Sequence, residues 1–165
     1  MIVVTGATGN VGRVLVGLLA DAGEKVVAVS RTATELTTAE HREADLARPE
    51  TLEGAFAGAD SLFLFGGGDR PTEVVAAAKA AGIGRIVLLS SQGAGTRPEN
   101  PGHGGLRAFE EAVTSSGLRW TVLRPGGFAS NAFAWAEPVR TARIAPAPFA
   151  DVALPFVDPA DIAAV

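Results

Sequence analysis

The stretch Thr5-Gly6-Ala7-Thr8-Gly9-Asn10-Val11-Gly12 sets three glycines at G-x-x-G-x-x-G spacing, directly after a short β-branched run at residues 2–5. Residues of this kind suit a diphosphate. Gly6 permits a tight turn, Gly9 lets the backbone approach the anion, and Gly12 allows the next helix to pack closely on the strand. That helix offers unpaired N–H groups and the positive end of its dipole, and Thr8, Asn10 and Val11 complete the stretch that would face the phosphates. A glycine triplet alone is a weak signal. The strand before it and the helical period after it make it informative. The plainer alternative is a strand-to-helix turn that needs glycine for geometry alone.

Roughly 20 residues beyond such a loop, at the end of the second strand, stands the residue that reads the ribose of a dinucleotide. An acid there would bind the 2′-hydroxyl. This chain instead has Val29-Ser30-Arg31-Thr32, with no carboxylate. Arg31 can pair with a 2′-phosphate through charge-assisted hydrogen bonds, and Ser30 or Thr32 can add a donor. The pattern favours NADP(H) over NAD(H), against the alternative of a solvated loop arginine.

What the composition lacks narrows the chemistry. There is no cysteine and only two histidines, His41 and His103, which excludes disulfides, thiol catalysis and zinc sites built from Cys and His. There is no tyrosine, and the lysines are Lys25 and Lys79 alone. A net charge of −4 argues against nucleic acid, whose phosphates need a basic field. Apolar residues at 47% against 19% charged exclude a disordered chain, and 165 residues suit one domain with a proper core. Residues 1–6 show no basic segment leading into a long apolar run, so no secretory signal is expected. Lys79 and Arg85 interrupt the longest apolar run, well short of the ~18 residues of a spanning helix. The expectation is a soluble, cytoplasmic protein.

The elements that must position these residues alternate. Residues 2–5 read as a strand, followed by a helix whose stripe is Val11, Val14, Leu15, Leu18 and Leu19 and which ends at Gly23. Residues 25–29 form the second strand. Residues 32–48 are polar, with a weak third strand near 42–44. A helix over 49–57 has Pro49 in its first turn. Residues 61–65 are a strand stopped by Gly66-Gly67-Gly68, a helix runs from about Pro71 to Gly82, and residues 85–90 form a fifth strand. Residues 96–105 read as a loop. A helix over 106–116 has Ala108, Phe109, Ala112 and Val113 as its inner face, and residues 119–123 are a sixth strand halted by Pro125-Gly126-Gly127. Such alternation means right-handed βαβ units and a parallel sheet with helices on both faces. Beyond Gly127 a helix at 128–136 is expected, and a last one opens with Asp158 as N-cap and Pro159 at its first position. That helix ends after about two turns, which reads as a shortened version of something longer.

The glycine loop, Arg31, Ala44-Asp45-Leu46 and Ser90-Ser91 together resemble the atypical short-chain dehydrogenase/reductases. Within that group, Leu123-Arg124-Pro125-Gly126-Gly127-Phe128 with Asn131, and Val157-Asp158-Pro159-Ala160-Asp161-Ile162-Ala163, are similar to the NmrA-like NAD(P)-binding proteins and their quinone-reductase-like relatives. The resemblance implies a doubly wound α/β Rossmann fold. Residues 1–127 would be the NAD(P)-binding domain, and 128–165 a partial substrate-side region continuous with it. It also implies that Asp45 and Leu46 contact the adenine and that Phe65, Gly66, Gly67 and Gly68 line the ribose side. Ser90 and Ser91 would face the nicotinamide, with Pro125, Gly126 and Phe128 closing over it. The bland alternatives are a turn cap for Asp45, strand-end hydrogen bonding for the serines, and a flexible turn for the glycines.

The chain departs from that group where the Tyr-x-x-x-Lys acid should stand, since it has no tyrosine. The matching region reads His103-Gly104-Gly105-Leu106-Arg107. Alcohol dehydrogenation by a phenolate is thereby excluded, and sugar-nucleotide epimerisation, which leans on the same tyrosine, is disfavoured. His103 is a candidate proton donor, against the plainer reading of a solvated loop residue, and Ser90 or Ser91 a candidate to polarise a carbonyl; Arg107 is expected to cap or pack on its helix and His41 to lie on the surface. Two readings result. One is an NADPH-dependent reductase of a quinone or other conjugated carbonyl, which needs less help from an acid. The other is a non-catalytic NADP(H) sensor of the NmrA type. For partners the sequence implies a small molecule (a quinone or aromatic carbonyl), no nucleic acid and no membrane, and leaves a homodimer open.

Overall fold

The short β-branched runs pair side by side in the computed structural model, which describes residues 1–32, 39–147 and 151–165. The strands β1 (Ile2–Thr5), β2 (Val26–Ser30), β3 (Glu40–Glu43), β4 (Ser61–Phe65), β5 (Arg85–Leu89) and β6 (Arg119–Leu123) form one parallel sheet in the order β3-β2-β1-β4-β5-β6. This is the doubly wound arrangement, whose strand order reverses between β1 and β4.

Alternation along the strands feeds two cores. Val3, Val27, Leu62, Leu64, Ile86 and Leu88 point to one face, against α2 (Leu52–Phe56), α3 (Pro71–Ala80) and α5 (Gly104–Thr114). Val4, Ala28 and Phe63 point to the other, against α1 (Gly12–Asp21) and the closing helix α7 (Pro159–Ala164). Because helices cover both faces, β2 is buried along its whole length. The chain leaves β1 for α1 on one face and β4 for α3 on the other, so a cleft opens between these strands at their C-terminal ends.

Several expected elements change form. The edge strand β3 runs two residues earlier than 42–44 in its start, and its neighbours at 33–38 lie outside the described residues. Residues 49–57 divide into a tight 3-10 turn, Pro49–Thr51, and α2. The expected loop at 96–105 is largely helical: α4 (Gln92–Thr96) starts on the Ser91 side-chain cap, a 3-10 turn Pro101–His103 on the Asn100 cap, and α5 already begins at Gly104. Caps supplied by Ser and Asn outweigh the low helix propensity of the glycines here. Residues Ala129–Trp135 form a 3-10 helix rather than an α-helix, followed by α6 (Ala136–Ala142). The inner stripe of α1 also shifts: Val16 is buried while Leu18 is 43% exposed, because Gly12 faces inward and brings the residue one turn later with it. Asp158 caps α7 as expected, accepting from the Ala160 N–H at 2.8 Å. A two-stranded parallel pair, β7 (Gly127–Phe128) and β8 (Phe156–Val157), lies outside the main sheet.

Candidate functional site

The loop between β1 and α1 closes on itself. Gly6 adopts φ +63°, the Gly9 N–H donates to the Gly6 carbonyl at 2.9 Å, and the Arg13 N–H donates to Gly9 at 3.1 Å. A Cβ on Gly12 would lie 2.2 Å from the Gly6 oxygen, so this glycine is required by the loop's own backbone rather than by helix–strand packing as expected. The first turn of α1 has no side-chain cap, and Thr8, Gly9 and Asn10 are exposed. Unpaired N–H groups at the start of a ten-residue helix, beside backbone bare of Cβ atoms, suit an anion. Asn10 donates from Nδ2 to Ser130 Oγ at 3.1 Å, which ties the loop to the segment after β7.

A cleft of about 550 Å³ runs from this loop across the ends of β1, β2 and β4, within the range of ligand sites. Gly6, Thr8, Gly9, Asn10, Val11 and Gly12 line it, as do Ser30, Arg31, Asp45, Leu46, Phe65, Gly67 and Phe128. All were expected at a dinucleotide. Gly66, Ser90, Ser91, His103, Pro125 and Gly126 are not part of that lining. Gly66 is buried, donating to the Leu89 carbonyl at 3.2 Å, where a Cβ would press on Leu106.

Gly68, expected on the ribose side with Phe65 and Gly67, lines the cleft as well, whereas Thr5, Val29, Ala44, Ala47, Phe63 and Leu89 line it and were missed. Most stand at or just beyond the ends of strands, which is the signal that could have marked them. Thr5 does more than line. Its buried hydroxyl donates to the Phe63 carbonyl at 3.1 Å and accepts from the Phe65 N–H at 2.8 Å, joining β1 to β4 at the cleft floor. Phe65 is half exposed and lies against Gly67, where a Cβ would come within 2.8 Å of the ring.

At the ribose-reading position Arg31 is exposed and has no ion pair among the described residues. Ser30 is nearly buried, and its hydroxyl meets the Thr32 carbonyl at 2.8 Å and His41 Nε2 at 2.7 Å. His41 is therefore half-buried and bonded, not a surface residue. Asp45 accepts from the Ala47 N–H at 3.0 Å and faces Arg48 at 3.7 Å, so its carboxylate shapes a turn while it lines the cleft.

The end of β5 holds a network that sequence reasoning missed. Ser90 Oγ donates to Glu110 Oε1 at 2.5 Å, and Arg124 grips the same carboxylate through Nε at 2.9 Å and Nη2 at 2.6 Å. Arg124's hydrogen bonds hold the Glu110 carboxyl below the usual glutamate range, opposed by burial and aided by Ser90. Glu110 lies three residues before Val113, on the inner side of α5. An acid beside the expected apolar stripe was the available signal. Ser91 accepts from the Gly93 N–H at 3.2 Å as the cap of α4. His103 is half-buried rather than solvated: a Cβ on Gly93 would sit 2.2 Å from its Nε2. Arg107 reaches back to the Asn100 carbonyl at 3.1 Å, packing as expected. Gly126 and Gly127 admit Pro155 and Phe156 at distances that a Cβ would forbid, which is what lets β8 pair with β7.

Among the described residues no helix is long and apolar enough to cross a membrane, and no group of three His, Asp or Glu is placed to hold a metal. The chain is 38% identical to a (4-alkanoyl-5-oxo-2,5-dihydrofuran-3-yl)methyl phosphate reductase of Streptomyces griseus, over all of this chain and 61% of that protein. It is 31% identical to an NAD(P)H azoreductase of Xenophilus azovorans, with the same coverage of 100% and 61%. An NADPH-dependent quinone oxidoreductase of Escherichia coli, solved with NADPH, superposes with a TM-score of 0.73 at 28% identity, covering 84% of this chain and 53% of that one. The chain thus spans about 61% of the length of the curated relatives it matches. Residues 6–157, which include all of the cleft's lining except Thr5, match the NAD(P)H-binding family, and the chain belongs to it.

Proposed function

We propose that the chain binds NADPH in preference to NADH and reduces acceptors already activated toward hydride, a quinone or another conjugated carbonyl. One observation carries this reading. The chain has no tyrosine, and the Ser90 hydroxyl at the end of β5 is committed to Glu110, so among the described residues neither a phenol nor a free Ser90 hydroxyl stands beyond Leu89. Reduction of an isolated ketone builds a localised alkoxide that needs a placed proton donor. A quinone or enone instead delocalises the charge it gains. The named substrate of the Streptomyces relative has a C=C bond conjugated with two carbonyls, and the azo and quinone acceptors of the other two relatives share that electrophilic character.

The nicotinamide, when bound, supplies the hydride. The chain's residues do the rest. The glycine loop and the first turn of α1 hold the diphosphate, Asp45 and Leu46 border the adenine, and Phe65 and Gly67 border the ribose. Arg31 pairs with the 2′-phosphate. Phe128 closes the cleft on the side of the nicotinamide, with Pro125 and Gly126 setting its backbone. We assign the proton delivered to the reduced acceptor to Ser91 or His103, and Ser90 acts through Glu110 to hold the end of β5. Residues 128–165 begin the substrate side. A cytoplasmic setting, where NADPH is supplied, accords with this reading.

The test is fluorescence titration with NADPH and NADH, followed by NADPH oxidation against a panel of quinones, enones and unsaturated lactones. Turnover on such acceptors and not on simple ketones is expected. Tight NADPH binding with no turnover on any acceptor would overturn the reductase reading and leave a nucleotide-sensing role.

A further inference from the structure

The Ser30 hydroxyl has two partners and one proton to share between them. It lies 2.8 Å from the Thr32 carbonyl and 2.7 Å from His41 Nε2. Two oxygens that close need a proton between them, and a carbonyl has none to give. The Ser30 proton therefore goes to Thr32. It follows that His41 is the donor toward Ser30, with its ring protonated at Nε2. The relay from His41 through Ser30 to Thr32 ties the edge strand β3 to the backbone on both sides of Arg31.

Among the described residues Arg31 is the sole cationic side chain in the lining of the cleft. The other cation nearby on β3 is engaged elsewhere: Arg42 donates to the carbonyls of Gly54, Ala55 and Ala57 and pairs with Glu40. Recognition of a phosphate at the end of β2 thus falls to one guanidinium, held between two residues that a hydrogen bond closes into a turn. A single long side chain gains affinity when its backbone is fixed in advance, because less freedom is lost on binding.

We infer that His41 is a positioning residue for ribose specificity: through Ser30 it fixes the 30–32 turn and so the place from which Arg31 meets the 2′-phosphate. His41 does not itself line the cleft. The inference rests on the NADPH reading above. NADH has no 2′-phosphate and should not register the loss of the relay.

Dissociation constants for NADPH and NADH are measured on the full chain and on His41→Ala, His41→Gln, Ser30→Ala and Arg31→Ala. Loss of one orienting hydrogen bond should weaken NADPH by about five- to tenfold in His41→Ala and Ser30→Ala, with NADH changed by less than about twofold in His41→Ala, a position outside the lining. His41→Gln, whose amide can donate in place of Nε2, should recover most of the NADPH affinity. Equal weakening of both nucleotides, or no weakening of either, would overturn the inference, and so would a glutamine variant no better than alanine. Arg31→Ala separates the two layers. If it discriminates between the nucleotides and His41→Ala does not, the relay alone is wrong; if Arg31→Ala does not discriminate, the NADPH reading fails and takes the relay with it.

Discussion

The Ser90 hydroxyl lies 2.5 Å from the Glu110 carboxylate and donates to it, so the polar group at the end of β5 is turned toward α5 and away from the cleft. Arg124, one residue past β6, holds the other side of the same carboxylate. Three elements meet at one buried acid. Its removal should loosen the edge from which Ser91, α4 and the Pro125–Gly126 turn depart.

Glu110→Gln keeps an acceptor for Ser90 but loses the ionic pairing with Arg124. Hydrogen bonds to charged groups contribute about 1.5–3 kcal/mol. The Arg124 side chain is 50% exposed and therefore screened, which argues for about 1–2 kcal/mol here. Because the folded-state pKa of Glu110 is depressed, the contribution is complete above the unfolded glutamate value of roughly 4.3 and is lost as pH falls through the lower folded value. Thermal unfolding of both proteins should differ most near neutral pH and converge in acid. A gap that stays the same width in acid would reject the pairing as its cause.

Gly12→Ala and Gly17→Ala sit one and a half turns apart on α1 and should move in opposite directions. The added Cβ at Gly12 meets the Gly6 carbonyl oxygen at 2.2 Å and backbone atoms at 2.8 and 2.9 Å, none of which can rotate away. Overpacking of this kind costs about 1–3 kcal/mol, and moving the loop should also abolish NADPH binding. At Gly17 nothing lies within 4 Å. Alanine there should stabilise by about 0.5–1 kcal/mol through helix propensity and leave binding intact. Melting curves with a nucleotide titration on each variant decide it; a well-folded Gly12→Ala protein that still binds would remove the loop from the site.

The sheet was legible because its signals are local. Residues 2–5, 61–65 and 119–123 are β-branched or apolar-rich runs followed within two residues by Gly or Pro, and β1, β4 and β6 have those limits. The glycine loop and Arg31 could be placed for the same reason, since a loop that follows β1 must open on the strand ends. What stayed hidden depends on partners far along the chain. Ser90 finds Glu110 twenty residues later, Ser30 finds His41 on an edge strand that the polar sequence marks only weakly, and His103 rests on Gly93 across a segment that looked like loop. Composition reports that such groups exist, but only the packed fold says where each hydroxyl turns.

His103 and Gly93 allow a test of the proton donor with little change in the fold. A Cβ on Gly93 would strike the far end of the His103 ring, at 2.2 Å from Nε2, and a side-chain end can swing aside where backbone cannot. Gly93→Ala should therefore cost less than about 1 kcal/mol of stability, within the range of well-tolerated substitutions. If His103 gives the proton, displacing it should lower kcat for quinone reduction by about tenfold or more, as loss of a general acid does, with the NADPH dissociation constant unchanged. His103→Ala should match it. Unaltered kcat in both variants would pass the role to Ser91 or to water.

Thr5 tests how far the cleft depends on the joint between β1 and β4. Its hydroxyl is both donor to Phe63 and acceptor from Phe65, in a position only 1% exposed. Thr5→Val keeps the shape and β propensity but leaves a carbonyl and an N–H without their partner. Buried groups stranded in this way cost about 1–3 kcal/mol each, so a loss at the lower end of their sum is expected after relaxation. Thr5→Ser retains the hydroxyl and should lose only the packing of one methyl, about 1 kcal/mol. The two variants also separate stability from binding. Phe65 follows directly from the bonded N–H and forms the cleft wall, so Thr5→Val should weaken both NADPH and NADH, whereas Thr5→Ser should weaken neither. Calorimetric titration of the two nucleotides, below the melting temperature of each variant, reads this out. Binding that survives intact in Thr5→Val would mean that the floor of the cleft is held by the sheet alone.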